Sequence, residues 1–168
     1  MAVYQNEVDD LITFSFGPSG GTLANVESAR IRGVELSSGF ETGNWDVNAA
    51  LTLTDTENLD TGARLPRRAE RNLRLDVDRL FDEWSLGGSV IAESDRYNDA
   101  ANNSLLPGYG TLDLRAAWNF LPGWSAQFKV DNVLDRRYAT SQGFDTAPFD
   151  YLAAGRTYLA SIRYDFRQ

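Results

Sequence analysis

The feature that most constrains this chain is a period of two, held over runs of about ten residues and repeated along nearly the whole sequence. In the run 124–131, Trp124, Ala126, Phe128 and Val130 share one face of an extended chain, and Ser125, Gln127, Lys129 and Asp131 share the other. The run 111–120 sets Leu112, Leu114, Ala116, Trp118 and Phe120 against Asp113, Arg115 and Asn119. The run 45–54 sets Trp45, Val47, Ala49, Leu51 and Leu53 against Asp46, Asn48, Thr52 and Thr54. The same separation recurs at 72–78, 84–95 and 157–166, and less cleanly at roughly 2–14 and 22–41. Helical spacing of apolar positions is almost absent. The expectation is an all-β antiparallel meander of about eight long strands.

The connections alternate in length. Tight turns fall at 42–44, 81–83 and 121–123, where Gly, Asn, Asp and Pro gather. Between them lie longer polar loops at 17–21, 56–67, 97–107 and 140–154. Trp45, Trp84 and Trp124 each follow a tight turn, so an aligned meander puts them at one level, as an aromatic girdle at a membrane interface does.

Two environments suit such strands. In a soluble barrel or sandwich the apolar face turns inward. In a membrane barrel it meets lipid, and the polar face lines a wet lumen. Runs near ten residues suit a tilted span better than the ~5–6 residues of an ordinary strand. The polar face carries both signs of charge: Arg74, Asp76, Glu93, Asp113, Arg115, Lys129, Asp131, Arg163 and Asp165. The pattern favours the membrane barrel and leaves the soluble sheet open. No apolar run approaches the ~18 residues of a membrane helix, which says nothing against strands.

Composition removes several functions. The 168 residues carry a formal charge of −8, with no basic run for nucleic acid. Without cysteine there is no disulfide, redox pair or thiolate metal site. Without histidine the Ser-His pair of a hydrolase is impossible, and a non-enzymatic role is expected. No signal peptide is legible at the start.

The stretch Val130-Asp-Asn-Val-Leu-Asp-Arg-Arg-Tyr138 resembles the "NLFDxxY" signature of TonB-dependent outer-membrane receptors. Ala154-Gly155-Arg156-Thr157 then opens a final run ending Ile162-Arg-Tyr-Asp-Phe166, similar to the family's terminal aromatic assembly signal, although Arg167 and Gln168 follow. Ala29-Arg-Ile-Arg-Gly-Val-Glu-Leu36 resembles the "xYGxE" strand, with Ile31 for the usual tyrosine, and Asn6–Ile12 and Leu65-Pro-Arg-Arg-Ala69 also fit. The combination is most similar to the vitamin B12 (cobalamin) receptor branch.

The resemblance covers residues 1–168 and implies the C-terminal segment of a 22-stranded transmembrane barrel, without the plug domain and TonB box of full-length members. The alternative architecture is a closed eight-stranded barrel. The implied setting is the bacterial outer membrane. The implied partners are membrane lipid, the remaining strands and plug, TonB through the plug region, and cobalamin. The chain reads as a fragment or split-gene product, with Met1 a start imposed on it. Other readings are an autonomous small barrel of structural or adhesive role, a siderophore receptor fragment, and a soluble ligand-binding barrel.

The resemblance implies ligand contacts at Arg67, in the "LxRRA" motif, and Tyr151, four residues before the "GR" glycine. Arginine offers fixed donors for amide and phosphate oxygens, and tyrosine a flat apolar face with a polar tip for a corrin ring. Asn132 and Asp135 read as strand-end residues that hydrogen-bond the backbone. Gly33 and Gly155 read as points of close backbone approach. The loop acids Asp55, Glu57, Asp60, Asp95 and Asp99 lack calcium-loop spacing. No cofactor or metal site is expected in this chain, and the resemblance would place any calcium on loops outside it.

Overall fold

The computed structural model describes residues 1–17, 20–143 and 149–166, with the backbone alone described over 10–17 and 20–27. Eight strands form one antiparallel sheet: β1 (Ala2–Gly17), β2 (Gly20–Thr42), β3 (Trp45–Asn58), β4 (Arg71–Leu80), β5 (Trp84–Glu93), β8 (Tyr109–Leu121), β9 (Trp124–Asp131) and β12 (Thr157–Tyr164). They pair in that order. Four short strands form two hairpins in the long loops: β6 (Arg96–Tyr97) with β7 (Leu105–Leu106), and β10 (Ala139–Gln142) with β11 (Asp150–Leu152). Among the described residues no pairing joins β12 to β1, so the sheet is open and does not form the closed eight-stranded barrel.

The meander is as the alternation predicts, with two differences at its outer end. The first two strands run longer than expected, to the Gly17–Gly20 pair, and residues 18 and 19 of the expected 17–21 loop lie outside the described residues. The 97–107 and 140–154 loops carry their own hairpins. The departure noted at 167 and 168 also lies outside the described residues.

Register makes eight alternating strands into one wall. Directly paired residues share a face. Leu36 pairs with Leu51, which pairs with Leu73. Leu73 pairs with Ala92, and Val90 with Leu112. Leu114 pairs with Val130, and Val130 with Tyr158. The apolar faces therefore fuse into one band crossing the whole sheet. From Trp45 to Leu53 the band runs roughly 27 Å along the strand at ~3.4 Å per residue, enough for a tilted span of the apolar band of an outer-membrane barrel. Among the described residues nothing covers it. Leu86 is 50% exposed and Phe128 49% exposed. A soluble sheet would bury these side chains. Here they need lipid.

The tight turns explain why the strands return in register. In 42–45, Gly43 takes φ 56 at the first central position, as a type II′ hairpin requires. In 121–124, Pro122 precedes Gly123 at φ 79, the chemistry of a type II turn. The tryptophans after these turns do form a girdle. Trp84 stacks on Trp118 at 4.8 Å, and Trp124 meets Tyr164 at 4.7 Å.

The polar face is stitched by ion pairs. Arg115 on β8 reaches across β5 to Asp78 on β4, with Nε 2.8 Å from Oδ1, and donates to Ser89 at 2.6 Å. It passes over Gly87, which sits in register between them; a Cβ there would collide with the Asp78 carboxylate. Lys129 pairs with Asp131 at 2.6 Å and Arg163 with Asp165 at 2.9 Å.

Candidate functional site

The buried apolar side chains of the described residues do not lie in the wall. Leu65, Leu106 and Ala139 belong to the long loops, and Ala29 to β2 where the 56–67 loop begins to fold back on it. Here the chain builds a small packed cap at the long-loop end of the sheet.

Asparagines knit the cap. Asn98, 3% exposed, accepts from the Gln142 N–H at 2.9 Å, while its own N–H donates to the Ser104 carbonyl at 2.8 Å. Gln142 donates to the Asp150 carboxylate at 2.6 Å and accepts from the Ser104 hydroxyl. Asn102, at φ 57, mimics a strand partner for Arg64, accepting its N–H at 2.8 Å and donating to its carbonyl at 2.9 Å. Asp99 accepts the Asn103 and Ser104 N–H groups, four and five residues on, and so holds the 99–104 bend closed. Arg64 binds Glu70 at 2.8 Å and Asp95 at 3.2 Å, with its guanidinium over the Tyr97 ring at 5.2 Å. Tyr109 and Tyr138 stack at 3.7 Å.

The phrase 130–138 is a strand-exit device. Asn132, 5% exposed, sits at φ 50, a region that asparagine tolerates better than most residues. Its side chain accepts the Arg136 N–H at 2.9 Å and donates to the Arg136 carbonyl at 2.9 Å. Asp135, at φ 51, accepts the Arg156 N–H at 2.9 Å. A Cβ on Gly155 would stand 2.7 Å from that same carboxylate oxygen, so glycine lets the 154–157 segment approach. Gly33 is tighter still: a Cβ there would lie 2.8 Å from the Leu53 carbonyl and 2.7 Å from the Tyr4 hydroxyl. All four positions thus have structural work of the kind their residue types suggest.

Arg67 and Tyr151 both lie in the cap. Arg67 is exposed, at φ 60, and its N–H donates to the Tyr97 carbonyl at 2.6 Å. Tyr151 is in β11, 56% exposed, with the Phe149 ring edge-on at 5.1 Å. A chain of bonds links them: the Arg67 N–H bonds Tyr97, the side chain of the next residue Asn98 holds the Gln142 N–H, and Gln142 pairs with Asp150 beside Tyr151. Arg156 lies in the loop before β12, and its guanidinium is raised above the usual arginine range by the Tyr158 hydroxyl.

Asp55 and Glu57, expected in a loop, lie in β3, which runs to Asn58, and among the described residues these acids do not converge on a cation. Asp55 is bound by Arg32 at 2.7 Å, Glu57 by Arg30, and Asp95 by Arg64. Among the described residues no three carboxylates gather as metal ligands. What the cap offers is a rigid, polar, partly aromatic platform with a guanidinium, which is suited to binding. The cap asparagines carry a signal that a strand reading overlooks: Asp99-Ala-Ala-Asn-Asn-Ser104 is rich in the side chains that bond nearby backbone in turns.

Comparison with known proteins agrees on the family. The family described as "TonB dependent receptor-like, beta-barrel" matches residues 1–133. The vitamin B12 transporter BtuB of Photobacterium profundum is 29% identical over 168 residues, covering 97% of this chain and 27% of the relative. The chain thus spans about a quarter of the length of the curated relatives it matches. Among solved structures, the ferric yersiniabactin uptake receptor FyuA of Yersinia pestis superposes with a TM-score of 0.87 at 23% identity, over 98% of this chain and 27% of that one. The copper transporter OprC gives 0.80 at 24% identity, over 98% and 28%. These likenesses establish the fold.

Proposed function

This chain belongs to the TonB-dependent receptor-like β-barrel family, and we propose that it forms the C-terminal wall and outer loops of a cobalamin-uptake receptor. Its place is the bacterial outer membrane, and its family and relatives are receptors and transporters, not enzymes. The observation that carries the cobalamin reading is the similarity to vitamin B12 transporters along nearly the whole chain, including the cap. The cap supplies the means. The Arg67 guanidinium would hold amide or phosphate oxygens of the ligand, and the exposed Tyr151 ring would lie against its flat face.

In this reading the remaining strands of the barrel pair with the open edges of β1 and β12, since unpaired ladder groups cannot face lipid. A plug fills the lumen against the ion-paired face and carries the coupling to TonB. The test is equilibrium binding of cyanocobalamin to the outer-membrane particle that contains this chain. Arg67→Ala and Tyr151→Ala should each weaken binding by roughly ten-fold, the scale of one lost anchor. Tight binding untouched by either substitution removes them as contacts. No cobalamin binding removes the ligand assignment and favours the second reading, a siderophore, for which the solved relatives include the yersiniabactin receptor.

A further inference from the structure

The lipid-facing band ends, on the tight-turn side, in a cation. Arg79 is in register with Trp45 on one side and Leu86 on the other, which puts it on the apolar face. It is exposed. Its guanidinium carbon lies 5.0 Å from the centre of the Trp45 ring and 4.8 Å from that of Phe81. The contrast with the other end of the same face is plain. There Arg30 and Arg32 are closed by Glu57 and Asp55. Among the described residues no carboxylate forms an ion pair with Arg79.

An arginine at this level has a definite chemistry. The girdle of tryptophans marks the depth of the lipid headgroups. Two aromatic rings lie against the guanidinium, and contact of that kind leaves N–H groups able to donate to a phosphate. One step into the bilayer, Val77 and Val47 form the next pair on the same face, a surface for acyl chain. The counter-charge that no described residue supplies to Arg79 is the charge that a lipid carries at this depth. We propose that Arg79, flanked by Trp45 and Phe81, binds the phosphate of a glycerophospholipid in the leaflet on the tight-turn side, with the acyl chains lying along Val47 and Val77. The site tethers the wall at a fixed depth in the membrane.

The test uses the intact outer-membrane particle carrying this chain and phosphatidylglycerol with a photoactivatable headgroup. Cross-linked peptides are identified by mass spectrometry. Cross-links are expected on the peptides holding Trp45 and Phe81. They should fall about five-fold in Arg79→Gln, the scale of one interfacial arginine, recover largely in Arg79→Lys, and stay unchanged in Lys129→Gln, which removes a charge from the polar face. Unchanged cross-linking in Arg79→Gln, or an equal loss in Lys129→Gln, overturns the proposal. A competition on the unsubstituted particle decides the matter even if Arg79→Gln fails to assemble. Unlabelled phosphatidylglycerol should displace the probe, whereas diacylglycerol with the same chains should not. Displacement by diacylglycerol assigns the site to acyl chains alone, and displacement by inorganic phosphate assigns it to a free anion; either result overturns the lipid-phosphate site.

Discussion

The wall and the cap solve opposite problems with one chain. In the wall, leucines stand exposed on one face while arginines and carboxylates pair on the other. Its strands cohere through backbone ladders, and its apolar residues gain their stabilisation from lipid. In the cap, Leu65 is 3% exposed and Leu106 2% exposed, among asparagines whose side chains replace absent ladder partners. The cap has water around it and must make its own small core. Residue type therefore does not reveal a residue's contribution here. The same leucine is structural packing in one region and solvent contact in the other.

The sharpest way to break this comparison is to shorten a leucine in each region. Leu106→Ala should cost about 2–5 kcal/mol of local stability, because it leaves a cavity. Leu114→Ala should cost less than about 1 kcal/mol, because lipid chains refill the space. Amide hydrogen exchange across 97–106, together with urea unfolding in vesicles, reads both; equal costs would mean that the wall leucines are packed against protein. Next in size is a charge on the band. Leu114→Arg, midway along the outward face of β8, should cost roughly 2–4 kcal/mol, whereas Gln127→Arg on the polar face should assemble nearly unchanged. The reverse order, seen by heat-modifiability on gels, would turn the sheet inside out.

Asn132→Ala sharpens the boundary between the two regions. It removes the bonds to Arg136 from a buried site and puts alanine at φ 50, and it should cost about 2–3 kcal/mol. Rapid exchange of the Arg136 amide is the expected sign; a protected amide would show that the turn holds without its asparagine. The smallest effect belongs to the lumen wall. Gly87→Ala should cost about 1 kcal/mol by displacing Arg115 from Asp78. In an Asp78→Ala background, which removes both the colliding carboxylate and the pair, the same change should be silent, and a cost that persists there would mean that the glycine serves the backbone instead.

Much of the wall was legible because a strand declares itself locally. The alternation at 124–131 or 45–54 needs no partner to be seen, and the glycines at 43 and 123 carry turn chemistry in their immediate neighbours. Asn132, Asp135 and Gly155 were readable as backbone-bonding and close-approach positions from residue type alone. The cap was less so. Asn98 with Gln142, and Asn102 with Arg64, are partners separated by dozens of residues, joined only when the loops meet. The 97–107 and 140–154 segments looked like plain polar loops because their two hairpins are too short for a periodic signal.

Sequence alone determined the strand period, the sites of reversal, the absence of thiol and imidazole chemistry, and the family to which the phrases belong. Those properties reside in single residues and their near neighbours. Tertiary structure alone decided that the eight apolar faces fuse into one band, that Gly87 is the gap through which Arg115 reaches Asp78, and that Arg79 ends beside two rings with no ion-paired carboxylate among the described residues. Each of these depends on register between strands, and register is set by hydrogen bonds across the sheet rather than by any run of residues along it.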